Sequence, residues 1–327
     1  MRTRLLSSLT AAALVVGVSG CSDSGPKYLP LRHPFRGATL YQDSDTTAAE
    51  WQRVHDAIWL DPITNTPAAR WVTGPDALAE LPAVVRSAKR AGALLVIVAY
   101  NIPNRDCAGP GQGAADADAY RDWIDELVSA LSSIRAVVIL EPDAAAAECF
   151  DEDRADMLAD AVGALTGGGQ HVYLDAGHPR WHDPDEMSAR LSAAGIADAE
   201  GFSVNVSNRQ STADSSRWAA RLSAFVGGRE AIIDTSRNGL HAPPDDQWCN
   251  SPRQGLGQPP TTDPGMDRVA ALLWVKHPGE SDGSCGGGPE AGEFWPRQAR
   301  DLIVNGPSVP PDARRLATAA KLPTLGP

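Results

Sequence analysis

Two near-continuous apolar runs constrain this chain more than any other feature. Leu94-Leu95-Val96-Ile97-Val98-Ala99 opens onto Tyr100-Asn101-Ile102-Pro103-Asn104-Arg105-Asp106-Cys107. About one strand–helix unit later, Ala136-Val137-Val138-Ile139-Leu140 opens onto Glu141-Pro142-Asp143. An apolar run without alternation is what a strand buried on both faces looks like, and such strands belong to parallel sheets covered by helices. In those architectures active sites are built just past the carboxyl ends of the strands. Here two neighbouring strands each deliver acidic residues to that edge. Paired carboxylates suit acid–base chemistry on a neutral substrate.

The same rhythm continues along the chain. Strands are expected at 38–41, 57–60, 94–100, 137–140, 171–174, 201–206, 231–234 and 272–276. Helical patterns fall at 75–91, 117–133, 151–165, 184–194, 211–225 and 290–305. Pro75 suits a first helical turn and Gly92 a stop. This alternation predicts an α/β fold, a distorted parallel (β/α) barrel of seven to eight strands with its cleft at the strand C-terminal ends. A long irregular stretch, 238–265, is rich in Pro, Gly, Asp and Gln and carries Trp248-Cys249-Asn250. Loops of that length are usually functional or disordered, and a Trp and a Cys favour an ordered one.

The N-terminus reads as a targeting segment. Arg2 and Arg4 precede an apolar run at 5–18 that is too short for a confident membrane span. It ends in Val18-Ser19-Gly20-Cys21, which resembles the bacterial lipobox. Residues 1–21 are therefore expected to be a lipoprotein signal peptide, with Cys21 lipidated and anchoring an exported cell-surface protein to the membrane. An ordinary secretory signal is the alternative. Residues 22–36 are expected to form a flexible tether, 37–306 the single folded domain that would carry any active site, and 307–327 a C-terminal tail. Export favours disulfides among Cys107, Cys149, Cys249 and Cys285. Four cysteines allow three pairings.

The net charge of −12 disfavours nucleic acid as a partner. Nine Trp outnumber five Phe and five Tyr, and indoles are flat platforms for sugar rings. Past the strand ends stand Tyr100 and Asp106, Glu141 and Asp143, Asp175, Asn205, Asp234 and Lys276. One Asp after one strand is usually a helix cap or turn former. A succession of such strand ends predicts an acid-lined cleft with aromatic walls. There is no Gly-x-Ser-x-Gly elbow, no Gly-x-Gly-x-x-Gly after the first strand and no phosphate-binding loop. His178 and His182 lie four apart near Asp175, but Pro179 opposes a regular helix presenting both, so no metal site is expected. What remains is carboxylate chemistry on a neutral polyol, most naturally glycoside hydrolysis, without a cofactor.

The motifs then become recognisable. Residues 100–107 resemble the Tyr-Asp-Leu-Pro-Asp-Arg-Asp-Cys motif of glycoside hydrolase family 6, the inverting cellulases. Residues 139–143 resemble its Ile-Glu-Pro-Asp motif, and Tyr173 to Trp181 its Tyr-Leu-Asp-Ala-Gly-His-x-x-Trp motif. Trp248-Cys249-Asn250, residues 274–283 and the early segment 67–71 are similarly close, so the resemblance spans roughly 38–305.

The resemblance implies roles. Asp143 matches the general acid, Asp106 the neighbouring carboxylate that tunes it, and Tyr100 the residue that crowds the sugar ring. Asp282 matches the candidate base, with a water chain as the alternative proton path. Trp71, Trp181 and Trp248 match stacking platforms. Asp175, His178, Asn205, Lys276 and Glu280 match hydroxyl-binding positions, and Asn250 joins that set beside Trp248. The family's bridges would pair Cys107 with Cys149 and Cys249 with Cys285. Two departures stand out. Ala144-Ala145-Ala146-Ala147 follows the acid where the family usually has Ser-Leu-Ala-Asn or similar, which removes a polar neighbour. The loops near Cys149 and at 207–215 are short, which implies an open cleft and internal cleavage. The expected activity is inverting, endo-acting hydrolysis of β-1,4-glucosidic bonds by a monomer acting on cellulose or a related β-glucan. The alternative is a non-catalytic surface glycan-binding lipoprotein on a decayed hydrolase scaffold.

Overall fold

The computed structural model describes residues 33–107, 113–240, 242, 244 and 247–322. The expected signal peptide, Cys21 and most of the expected tether lie outside the described residues.

Seven strands pair in chain order, all parallel: β1 Arg70–Val72, β2 Val96–Ala99, β3 Val137–Leu140, β4 His171–Asp175, β5 Gly201–Val204, β6 Glu230–Asp234 and β7 Val269–Leu273. Strand side chains alternate between two faces. Ile97, Val138, Leu140, Leu174, Phe202 and Ile233 point outward, beneath the crossover helices. Val96, Val98, Val137, Ile139, Tyr173, Ile232 and Leu273 fill the inner side. Burial on both faces explains why these runs lack polar alternation.

The crossovers are α3 Pro75–Ala91, α4 Ala117–Leu131, α5 Glu152–Gly167, α6 Pro184–Ala193 and α7 Thr212–Phe225. Side chains of Asp116, Asp151 and Ser211 cap α4, α5 and α7 by accepting from the amides of Ala119, Arg154 and Asp214. Gly92 ends α3 in the left-handed region.

The sheet curls until its edges meet without pairing as strands. Ala69 N donates to Trp274 O at 2.9 Å, and Trp71 Nε1 to Val275 O at 2.8 Å. His277 Nε2 lies 2.7 Å from Ala69 O. The result is a distorted seven-stranded α/β barrel whose seam carries side chains expected at the site.

Local differences from the sequence reading have physical causes. The expected strand at 57–60 is a 3-10 turn, Ile58–Leu60, running into the short helix α2 Asp61–Thr64. Four apolar residues define no period, and Pro62 fits a first helical turn. The expected strand at 38–41 contributes a single bridge, Leu40 to Leu94. β1 was not expected because three residues beginning with Arg carry little strand signal. The last strand lies at 269–273 rather than 272–276, since the carbonyls of Trp274 and Val275 bond across the seam instead of along a ladder. A further helix, α1 Thr47–His55, is capped by Thr46. α8 Pro296–Asn305 starts later than 290 because Pro296 occupies its first turn. After it, α9 Pro311–Ala319 packs through buried Ala317 in one cluster with Leu302 and Ile303, so helix continues into the segment read as a tail. No helix among the described residues is long and apolar enough to cross a membrane.

Candidate active site

The loop after β3 leaves the sheet through two residues in the left-handed region, Glu141 (φ 48°) and Asp143 (φ 71°). Non-glycine residues reach that region at a conformational cost and need support from their surroundings. Two buried carboxylates provide it. Asp175, at the end of β4, accepts from Asp143 N at 3.0 Å, Gly177 N at 2.9 Å and Ser203 Oγ at 2.7 Å. Burial pushes its carboxyl up to about 6, against these hydrogen bonds. Glu141 accepts from Asn101 N at 2.9 Å and Ile102 N at 3.1 Å, which ties the end of β3 to the loop after β2. Burial pushes its carboxyl up to about 7.

That second loop presents Tyr100, whose ring meets Trp71 edge-on at 5.4 Å. The Arg105 guanidinium lies over the Tyr100 ring at 4.7 Å and donates to Tyr100 O. Buried Arg154 on α5 donates to Pro103 O and Asn104 O. Asp106 falls in the 3-10 turn Arg105–Cys107; its side chain lies outside what the structure describes. The expected bridge Cys107–Cys149 is present, with Cα atoms 5.7 Å apart, and links this loop to the one carrying Asp143.

On the loop after β7, Asp282 sits between two buried guanidinium groups. Arg209 Nη2 lies at 2.7 Å and Arg237 Nη1 at 2.8 Å, and Asn250 N adds a third donor at 2.9 Å. Burial alone would raise the Asp282 carboxyl, but Arg237 and Arg209 outweigh it and hold it far below the usual range. A carboxylate stabilised in this way is a weak base. Burial and neighbouring Arg237 push Arg209 down to about 10. Asn250 knits the loop together. Its Nδ2 donates to Gly283 O and Cys285 O, and its Oδ1 accepts from Asp282 N. The second expected bridge, Cys249–Cys285, closes the same region with Cα atoms 6.3 Å apart. Trp248 is 60% exposed, and its carbonyl accepts from Arg209.

At the seam, Lys276 Nζ lies 5.9 Å from the Trp71 ring and 3.6 Å from Glu280. His277 Nδ1 lies 2.7 Å from Glu280. Burial would raise the Glu280 carboxyl, but His277 and Lys276 hold it well below its ordinary value. Trp181 lies against His178, with ring centroids 5.3 Å apart. Gly177 must be glycine: it has φ 69°, and a Cβ there would come within 2.9 Å of the Trp181 ring.

The expected hydroxyl-binding residues thus divide. His178, Trp181, Lys276, Glu280 and Trp248 are at least partly accessible. Asp175, Asn205 and Asn250 are buried, and they hydrogen-bond to neighbouring protein groups. Asn205 accepts from Gln210 N at 2.9 Å and donates to Asp234 O at 2.8 Å. A polar residue at a strand end can face either the mouth or the neighbouring loops; Asp175 and Asn205 face the loops, as Asn250 does from its own loop. Sequence reasoning missed Arg209 and Arg237, and it placed Glu141 at the cleft edge without assigning it a role. For Glu141 the signal was present, as a charged residue between an apolar run and Pro142. For the two arginines no local pattern marks them. A cavity of about 580 Å³ lies at the opposite end of the sheet, beside the start of β5 and β6, away from these residues.

Known proteins resemble this chain in sequence and in fold. The family model described as glycosyl hydrolases family 6 matches residues 35–306. Endoglucanase A of Cellulomonas fimi is 39% identical over 264 residues, which are 78% of this chain and 58% of that protein. The chain therefore spans less than two thirds of that relative. Endoglucanase A of Thermobispora bispora is 37% identical over 93% of this chain and 70% of its own length. The solved endoglucanase Cel6 from Mycobacterium tuberculosis, in complex with methyl-cellobiosyl-4-deoxy-4-thio-β-D-cellobioside, superposes with a TM-score of 0.79 at 38% identity. That match covers 84% of this chain and 99% of the other.

Proposed function

The chain belongs to the glycosyl hydrolases of family 6, and from that membership we propose that it cleaves β-1,4-glucosidic bonds within cellulose or a related β-glucan, with inversion. The observation that carries this reading is the anchoring of Asp143 by its own backbone amide to buried Asp175. A general acid must be held in place to protonate a leaving oxygen, and this contact holds it.

In this mechanism Asp143 gives its proton to the glycosidic oxygen as the bond to the anomeric carbon breaks. The bonding electrons leave with that oxygen, and water attacks the anomeric carbon from the opposite face. Asp106, on the loop bridged to the acid's loop, tunes the donor. Asp282, on the loop after β7, acts as a fixed negative charge. Held by Arg209 and Arg237, it orients the attacking water, whose proton leaves through solvent rather than resting on Asp282. Tyr100 crowds the ring, and Trp71, Trp181 and Trp248 stack on sugar faces. His178, Lys276 and Glu280 meet hydroxyl groups. Asp175, Asn205 and Asn250 position loops. The alanine run 144–147 is buried core, so it leaves no gap in the site. The test is the anomer of freshly formed product, followed by proton NMR on cellotetraose. The α-anomer is expected first, and the β-anomer first would overturn the inverting mechanism.

For the N-terminus we propose export with lipid attachment at Cys21, supported by the lipobox-like Val18-Ser19-Gly20-Cys21. Metabolic labelling with a palmitate probe is expected to mark the wild type and not Cys21→Ser. Equal labelling of both would exclude Cys21 as the attachment point.

A further inference from the structure

Residues 144–147 follow the acid and offer no polar side chain. They are buried, so their backbone oxygens need partners from elsewhere. Three of those oxygens find them on and beside α6. His182 Nε2 lies 2.7 Å from Ala146 O. Arg190 Nη1 donates to Ala145 O at 3.3 Å and to Ala147 O at 3.0 Å. Glu186 joins the two donors, 3.1 Å from His182 Nδ1 and 3.3 Å from Arg190 Nη2. The three residues are spaced four apart, which brings Glu186 and Arg190 onto one helix face. Trp218 Nε1 on α7 fixes the His182 carbonyl at 3.0 Å.

The gripped turn is one hydrogen bond from the acid. Ala146 N and Ala147 N donate to the carbonyl of Asp143 at 2.9 Å and 2.8 Å. Asp175 holds the amide of Asp143, so the acid's backbone is held at both ends.

We propose that His182, Glu186 and Arg190 form a clamp that positions the general acid through the alanine turn. They are positioning residues and do not touch substrate. The clamp replaces, from a neighbouring helix, the polar contacts that the acid's own loop cannot make. This inference rests on Asp143 being the proton donor.

The test exploits leaving-group dependence. A cellotetraose leaving group needs protonation, whereas 2,4-dinitrophenolate departs without it. In Arg190→Ala, kcat on cellotetraose is expected to fall about 10- to 100-fold with KM nearly unchanged, the size of effect that misplaced catalytic geometry produces. Hydrolysis of 2,4-dinitrophenyl β-cellobioside should change by no more than about twofold, since general-acid assistance is not needed there. His182→Leu, which removes the donor but fills the space, should show the same split, and Arg190→Lys should recover part of the loss. Asp143→Asn is run beside them. If Asp143→Asn shows no leaving-group selectivity, the assignment of the acid fails. If Asp143→Asn is selective while Arg190→Ala and His182→Leu lose both activities equally, or neither, the clamp is overturned.

Discussion

The Asp282 carboxylate lies 2.8 Å from Nη1 of Arg237, with Arg209 on its other oxygen at 2.7 Å, and the three side chains are almost closed to solvent. Replacing Asp282 by Asn leaves two buried guanidinium groups without their counter-ion. Breaking a buried pair from one side costs about 3–5 kcal/mol, so Asp282→Asn should be destabilised by about that much at neutral pH. The pH dependence follows from the depressed carboxyl. Its contribution is complete above the unfolded value of about 4. It is lost as pH falls through the folded value, which lies far lower. Urea titrations at pH 7 and pH 3 should therefore show the gap between wild type and Asp282→Asn narrowing in acid. A gap that is constant or widens would contradict the double ion pair.

Glu141 behaves in the opposite sense. Its carboxyl is raised by burial to about 7, above its unfolded value. Between about pH 4.3 and 7 the folded chain holds a proton that the unfolded chain has released, so stability falls as pH rises, by up to about 1.4 kcal/mol per pH unit. The favourable contribution is complete below the unfolded value and gone above about pH 7. Thermal unfolding at pH 5 and pH 8 should show wild type losing more than Glu141→Gln. Parallel losses would mean that Glu141 does not titrate in this window.

Trp248 separates binding from folding. It is 60% exposed, so Trp248→Ala should leave stability within about 0.5 kcal/mol of wild type. Losing a stacking platform should weaken cellotetraose binding several-fold by isothermal calorimetry. A large drop in melting temperature, or unchanged affinity, would remove Trp248 from the sugar-binding set.

The legibility of this site follows from what local sequence can express. The strands β2 to β6 were readable because burial on both faces forces continuous apolar runs. The positions of Tyr100, directly past β2, and of Asp143, three residues past β3, were readable at the sheet edge for the same reason. Arg209 and Arg237 follow Asn205 and Asp234 by a few residues on separate loops. Only the curl of the sheet brings both to Asp282, and no short-range pattern encodes that meeting. Asp175 and Asn205 occupy strand ends as expected, yet their side chains serve amides and carbonyls of neighbouring loops. Strand position sets where a side chain stands, and its neighbours decide what it bonds. The alanine run reads as a loss when only its own side chains are considered. Its carbonyls are gripped by residues about 40 positions away in the chain.

Asp143 supplies the proton in the proposed mechanism, and reducing-sugar release from carboxymethyl cellulose by wild type and Asp143→Asn reads that role out. Wild type should release reducing ends while solution viscosity falls quickly, as internal cleavage requires. Asp143→Asn should lose at least about 100-fold, the lower range of what a positioned general acid contributes, with its thermal unfolding preserved. A folded Asp143→Asn protein with undiminished activity would show that Asp143 is not the proton donor.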